Sequence, residues 1–161
     1  MLTAQQLADA YARNTNIIQR QADGLSHGDS VLQLPFRGNC FNWVLGHILE
    51  SRNTILGLLD AEPALDPAVA SRYARGSEPI LADGPEVVPF ADLLGALERG
   101  QAALTEKLGA VTDEAFARET PFFSRSMPLS DLLFFLYFHD SYHTGQAEPL
   151  RQLAGKDDKI I

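Results

Sequence analysis

Apolar side chains recur every three or four residues in four separate segments of the chain, which is the period of an α-helix. The pattern predicts helices over about residues 3–21, 40–59, 90–108 and 128–153. No internal repeat and no strand-like alternation interrupts it. We therefore predict an all-α fold that forms a single domain over residues 1–161.

The segment 60–88, between the second and third predicted helices, is rich in Pro, Gly and Asp. It is too long for a tight hairpin, and a short helix over about 67–75 is predicted inside it. A long connection of this kind allows two consecutive helices of a bundle to run parallel. The expected architecture is a four-helix bundle.

The fourth predicted helix has polar side chains in the middle of a leucine stripe. Its positions, spaced alternately by three and four, are Leu129, Leu132, Leu136, His139, His143, Gln146, Leu150 and Leu153. Such a stripe should face the bundle interior, where imidazoles are costly unless each finds a partner. Imidazoles at i and i+4 have Cβ atoms about 5–6 Å apart and can bind one divalent ion. Histidines that merely hydrogen-bond within the core are an equally weighted alternative.

A third ligand would favour the metal site, and two further histidines are available. His27 lies in a loop-like stretch and is expected to be exposed. His47 lies in the middle of the second helix, on a face that borders its apolar stripe, so it can point inward. The spacing alone leaves open whether His47 meets the histidine pair.

The histidine pair also has the outer spacing of the zincin motif H-E-x-x-H. In this chain Asp140 stands where the motif has the glutamate that acts as general base. An aspartate is one methylene shorter and would sit farther from a metal-bound water. We therefore disfavour the zincin interpretation.

Two stretches carry a resemblance to a known family. Asn-Cys-Phe-Asn-Trp-Val-Leu-Gly-His-Ile (39–48) resembles the helix-two signature of the DinB-like family, in which Trp precedes the metal-binding His by four. His-Asp-Ser-Tyr-His-Thr-Gly-Gln (139–146) resembles that family's helix-four signature, a His pair followed by Gly-Gln. The resemblance covers essentially the whole chain. It implies an up-down-down-up four-helix bundle, usually dimeric, with a metal site of His47, His139 and His143. Ala147 and Pro149 depart from the family pattern, which leaves the end of the last helix open.

Three neutral imidazoles leave a divalent ion with positive charge and an open position, suited to activating a water, a thiolate or a carbonyl. Imidazole ligands suit Zn, Ni, Cu and Fe; we favour Zn or Ni, with Fe next. The stripe carries no general base, and Asn14, Trp43 and Gln146 are the candidates for orienting a substrate.

The resemblance implies chemistry with low-molecular-weight thiols, since characterised relatives include transferases and isomerases that use them. We therefore predict a metal-dependent thiol S-transferase that acts on a small electrophile. The alternative is a non-catalytic metal-binding or stress-response protein whose ion stabilises the bundle.

Charge and composition narrow the partners. The formal net charge of −8 disfavours binding to nucleic acid or to an anionic membrane surface. The single cysteine excludes an intramolecular disulfide. The chain shows neither a signal peptide nor the roughly 20 apolar residues of a membrane span, so we expect a cytoplasmic protein.

Helix four also has a second apolar face, which contains Phe134, Phe138 and Tyr142. We expect this face to be covered by a second chain, forming a homodimer, or by the segment 60–88.

Overall fold

The computed structural model describes residues 3–160, so Met1, Leu2 and Ile161, the ends of the predicted domain, lie outside the described residues. The four long helices are α1 (Ala4–Ala22), α3 (Phe41–Leu58), α5 (Phe90–Ala110) and α7 (Leu129–Leu153). The shorter elements are α2 (His27–Ser30), α4 (Pro67–Ala70), a 3-10 turn (Ser71–Tyr73), α6 (Asp113–Ala117) and a hairpin of β1 (Glu119–Phe122) and β2 (Arg125–Pro128). The predicted, predominantly helical fold is confirmed.

Helices α1 and α3 each pack against both α5 and α7. Side-chain contacts show the directions of the four helices, because early residues of one helix meet early residues of a parallel neighbour. Helices α1 and α7 are parallel, as shown by the pairs Asn14–Asp140 and Gln21–Glu148. Helices α3 and α5 are also parallel, with the pairs Phe41–Phe90 and Arg52–Gln101. Helices α1 and α5 are antiparallel, with the pairs Thr15–Gln101 and Gln19–Glu98. In chain order the long helices therefore run up, down, down and up.

The apolar core consists of two clusters, one toward each end of the bundle. One contains Ile18, Leu45 and Leu97, and the other contains Leu7 and Leu132, all of them fully buried. The apolar stripes expected from the sequence supply most of both clusters. Between them lies a layer of polar side chains that includes Asn14, Arg52 and Asp140.

Within the described residues, the hairpin departs from the expectation that the chain shows no strand. Each strand has four residues and one proline, Pro121 in β1 and Pro128 in β2, which hides any alternation of apolar and polar positions. The register pairs Phe122 with Arg125 and leaves a two-residue turn in which Phe123 has a φ of 53°. Strands this short are below the length at which periodicity becomes visible.

Helix α7 continues through Pro149 to Leu153, which settles the end that the sequence left open. A proline inside a helix removes the hydrogen bond to the carbonyl four residues earlier, here that of Gly145. Gly145 is exposed, so water can satisfy this carbonyl. Ala147, the other departure from the family pattern, is buried in the core.

The aromatic face of α7 remains exposed in the chain. Phe134, Phe138 and Tyr142 expose 52%, 63% and 60% of their surface. The expectation that the segment 60–88 covers these rings is wrong, because α4 and the 3-10 turn of that segment pack against α3 instead. Among the described residues, no helix combines the length and apolarity needed to cross a bilayer.

Candidate metal centre

The antiparallel packing of α3 and α7 brings together the three histidines singled out in the sequence. His47 lies in the middle of α3, and His139 and His143 lie one turn apart on α7. One nitrogen from each imidazole lies within 4.8 Å of the other two. The Nε2 atoms of His47 and His139 are 3.2 Å apart. Three residues far apart in the chain therefore form one compact group of nitrogen donors.

Two of the imidazoles have their orientation set by hydrogen bonds on their far side. The Nδ1 of His47 lies 2.8 Å from the carbonyl oxygen of Tyr73, and the Nδ1 of His143 lies 2.8 Å from Oε1 of Gln146. Because carbonyl oxygens only accept, each Nδ1 carries the proton and each Nε2 keeps its lone pair. This arrangement, with the outer N–H bound to a protein acceptor, is typical of metal-binding histidines.

The distance between the histidines fits an ion held between them. Two imidazole nitrogens bound to tetrahedral zinc at about 2.0–2.1 Å lie roughly 3.3–3.4 Å apart, close to the observed 3.2 Å between His47 and His139. This distance therefore fits a divalent ion. The other ring nitrogen of His139, Nδ1, is buried and has no hydrogen-bond partner among the described residues, unlike the Nδ1 atoms of His47 and His143.

The electrostatics of the group also favour a cation. Burial, together with the neighbouring His139 and His47, lowers the pKa of His143 to about 4, although the hydrogen bond with Gln146 partly opposes this shift. Burial, followed by the charge of His47, lowers the pKa of His139. At neutral pH these two imidazoles are uncharged, so their lone pairs are available to a metal ion.

The leucine stripe predicted that the histidines face the centre of the bundle. In the structure they lie at the edge of the bundle interior instead. The fully buried line on α7 passes through Asp140, Thr144 and Ala147, one residue further along, while His139 and His143 are half-buried. The site is therefore accessible from solvent.

Residues of the segment 60–88 support the site from outside the bundle. The Trp43 ring stacks on His47 with ring centroids 4.7 Å apart, and its Nε1 donates to Oγ of Ser77 at 3.1 Å. Tyr73, in the same segment, accepts the hydrogen bond from His47 described above. The crossover segment thus holds both Trp43 and His47.

Of the residues expected to orient a substrate, Trp43 and Gln146 each contact a histidine of the group. The amide of Asn14 instead donates to Oδ1 of Asp140 at 2.8 Å and to Oγ of Ser141 at 2.9 Å. Asn14 thus joins a separate polar cluster, described next. That the three line a substrate pocket remains a prediction.

This second polar cluster, which we call the Arg52 cluster, consists of Asn14, Thr15, Arg52, Gln101 and Asp140. Nε and Nη2 of Arg52 donate to the two carboxylate oxygens of Asp140 at 2.8 and 3.3 Å. Its Nη1 donates to Oγ1 of Thr15 at 2.8 Å and to Oε1 of Gln101 at 3.4 Å. Arg52 and Asp140 are 0% and 1% exposed.

The Arg52 cluster argues against Asp140 as the general base of a zincin, because the Asp140 carboxylate is bound by Arg52 and Asn14. It also contains residues that we missed in the sequence. Arg52 continues the apolar stripe of α3 between Ile48 and Ile55 at helical spacing. A lone arginine on such a stripe indicates a buried partner, and this signal could have identified the ion pair.

His27 lies outside the group of three. It begins the short helix α2 rather than a loop, and its Nε2 contacts Oδ1 of Asp83 at 3.0 Å. Its Nδ1 accepts from the backbone N–H of Phe90 at 3.2 Å. His27 therefore ties α2 to the start of α5.

Together, the bundle and its histidines define a class: helical-bundle proteins with a candidate three-histidine metal site between two antiparallel helices. The chain belongs to the DinB superfamily, whose family model matches residues 4–147. The predicted membership is confirmed.

Among solved structures, the chain is similar to one titled "Crystal structure of the conserved protein of locus from Enterococcus faecalis". The TM-score is 0.72 at 16% identity, over 97% of this chain and 99% of that chain. At this identity the likeness concerns the fold alone. A search of curated proteins found no match.

Proposed function

We propose that the protein is a metal-dependent thiol S-transferase that joins a small thiol to a small electrophile. The observation that carries the proposal is the number of donors at the site. Among residues 3–160, the group that could hold an ion has three members, His47, His139 and His143. Catalytic zinc sites use three protein ligands and keep an open position, whereas structural sites are closed by four.

The chemistry requires little from the protein beyond binding and orientation. When bound, a divalent ion at these histidines would favour the thiolate form of a thiol. The thiol proton passes to water, and the sulfur lone pair forms a new carbon–sulfur bond. A leaving group departs with the electron pair of the broken bond or, in an addition, the carbon skeleton takes up a proton from water. Trp43 and Gln146 hold the histidines in place, and the half-buried site admits the substrate.

The proposal includes a homodimer formed through the aromatic face of α7. Phe134, Phe138 and Tyr142 recur at i, i+4 and i+8 and are all more than half exposed. Exposed rings in such a row are unusual on a monomer surface. Sedimentation should show a dimer, and Phe138→Asp should convert it to a monomer; a wild-type monomer would remove this part of the proposal.

The test of activity uses protein purified without a metal-affinity tag and then loaded with Zn or Ni. Common cellular thiols are screened against model electrophiles, with metal-free protein and the His27→Ala variant as controls. We expect a metal-dependent rate that His27→Ala retains and His143→Ala loses. If no thiol gives a metal-dependent rate although the ion binds, the ion stabilises the bundle and the protein is non-catalytic.

A further inference from the structure

Gly46, directly before His47, lies where a side chain has no room. A Cβ built on Gly46 would overlap Cγ, Cδ1 and Cε1 of the Tyr73 ring. Gly46 is in the interior of α3, where glycine is disfavoured relative to alanine. The close approach of Tyr73 supplies a physical reason for glycine at this position.

The Tyr73 ring cannot move aside easily, because it is held at its other end. The residue is fully buried. Its hydroxyl donates to Oδ1 of Asn42 at 3.0 Å and accepts from the backbone N–H of Val88 at 2.9 Å. A methyl group at position 46 would therefore displace the backbone of Tyr73 as well as its ring.

The backbone of Tyr73 is also what orients His47. Its carbonyl oxygen accepts the hydrogen bond from Nδ1 of His47 at 2.8 Å, which keeps the lone pair on Nε2. A carbonyl moved by even a few tenths of an ångström weakens this bond, since hydrogen bonds depend on distance and angle.

We propose that Gly46 is a positioning residue for the metal centre: its missing side chain lets Tyr73 approach α3 closely enough to fix the tautomer and orientation of His47. The inference rests on metal binding by the three histidines, which belongs to the proposed function. Groups that hold the outer nitrogen of a metal-binding histidine typically change metal affinity by about 10- to 100-fold.

The experiment compares three Gly→Ala variants. Gly46→Ala introduces the overlap with Tyr73. Gly100→Ala on α5 introduces a Cβ only 2.9 Å from Cβ of Ala64, so it crowds the core without touching the site. Gly57→Ala, in the same helix as Gly46, adds a Cβ with no atom within 4 Å. Zinc affinity is measured by chelator competition, and the His47 tautomer by long-range proton–nitrogen NMR of the metal-free protein.

We expect Gly46→Ala to lower zinc affinity by about 10- to 100-fold and to abolish the uniform Nδ1–H tautomer of His47. Gly100→Ala should lower the melting temperature but preserve affinity and tautomer, and Gly57→Ala should preserve all three. If Gly46→Ala keeps wild-type affinity and tautomer, the proposal is overturned.

A comparison on the Tyr73→Ala background keeps the test decisive if Gly46→Ala alone fails to fold. Tyr73→Ala removes the ring atoms that the new Cβ would meet, and it should itself weaken zinc binding. Adding Gly46→Ala to Tyr73→Ala should then change affinity by less than about twofold. A further loss of about tenfold or more on the Tyr73→Ala background would refute the inference. A wild-type protein that binds no zinc refutes the proposed function, while the His47 tautomer still tests Gly46.

Discussion

Two polar clusters lie side by side in the middle of the bundle, and they differ in how far their polar groups are paired within the protein. In the Arg52 cluster, Arg52 and Asp140 are fully buried and satisfy each other's charges. In the histidine group, the Nε2 atoms of His47 and His139 lie 3.2 Å apart, and the Nδ1 of His139 has no hydrogen-bond partner among the described residues. His139 and Asp140 are consecutive residues, so one helix serves both clusters.

The difference indicates what each cluster is for. The Arg52 cluster is closed, since its donors and acceptors are matched within the protein, and it fills the level between the two apolar clusters. In the histidine group, three imidazole nitrogens converge, each within 4.8 Å of the other two. A closed cluster specifies how the helices pack, whereas the three histidines form a group that could hold a metal ion.

The largest effect is expected from Asp140→Ala, which leaves the Arg52 charge buried without its partner. Removing one partner of a buried ion pair costs about 3–5 kcal/mol. Urea unfolding of the metal-free protein measures the change in the free energy of unfolding. The double variant Arg52→Met with Asp140→Leu should recover more than half of the loss, because no charge then remains unpaired. A single variant as stable as the wild type would contradict the assignment.

Removing a histidine should weaken metal binding and leave the stability of the metal-free protein intact, the reverse of what is expected for Asp140→Ala. His143→Ala should lower metal affinity by at least about 100-fold, since two imidazoles rarely retain a divalent ion tightly. The metal-free variant should be about as stable as the wild type, because the imidazole removed is half-buried. Metal content after dialysis and urea unfolding provide the two measurements, with His27→Ala as the control. Full metal occupancy in His143→Ala would rule out the three-histidine site.

Mild acid should lower the stability that depends on the histidine group. Burial lowers the pKa of His143 to about 4, below the value of about 6.5 expected in the unfolded chain. The unfolded state therefore takes up protons first, so this contribution to stability is complete above pH 6.5 and is lost progressively toward pH 4. Bound metal should steepen the loss, because protons displace it.

The check is a series of unfolding curves across this pH range, with and without metal. His143→Ala should flatten the pH dependence of the metal-free protein. Curves that coincide for the loaded and metal-free wild type would show that the ion is not held by these histidines.

The smallest effect is expected from Gln146→Ala, which removes the acceptor for Nδ1–H of His143. Metal affinity should fall by about tenfold, at the low end of effects for such supporting groups. Stability of the metal-free protein should change little. At saturating metal the variant should keep its ion but turn over thiol and electrophile more slowly. An unchanged affinity would show that Gln146 has no supporting role.

Much of this picture could be predicted from the sequence, because it depends on local periodicity and on a few residue types. The four long helices follow from apolar spacing, and the interrupted leucine stripe of α7 led to His139 and His143. The long segment 60–88 allowed the second and third helices to run parallel, and the full set of helix directions came from the resemblance of two short motifs. What these predictions share is information carried within one helix or one motif.

The rest depends on contacts between distant segments. The pairing of Arg52 with Asp140 joins two helices, and the carbonyl of Tyr73 has no side-chain signature in the sequence. The histidines were predicted to face the interior, but the buried line of α7 runs one residue further along, which is a rotation of about 100°. Leu136 and Leu150 fit both lines at helical spacing, so the leucines could not distinguish between them. The hairpin was missed because its strands are too short to show a period.

The central claim, that His47, His139 and His143 together bind one metal ion, is tested most directly by X-ray absorption spectroscopy of zinc-loaded protein. Tag-free protein is saturated with zinc, dialysed, and examined alongside His143→Ala. The claim predicts one zinc per chain with three imidazole nitrogens at about 2.0–2.1 Å. A wild-type spectrum without imidazole scattering, or zinc that dialyses away completely, would contradict it.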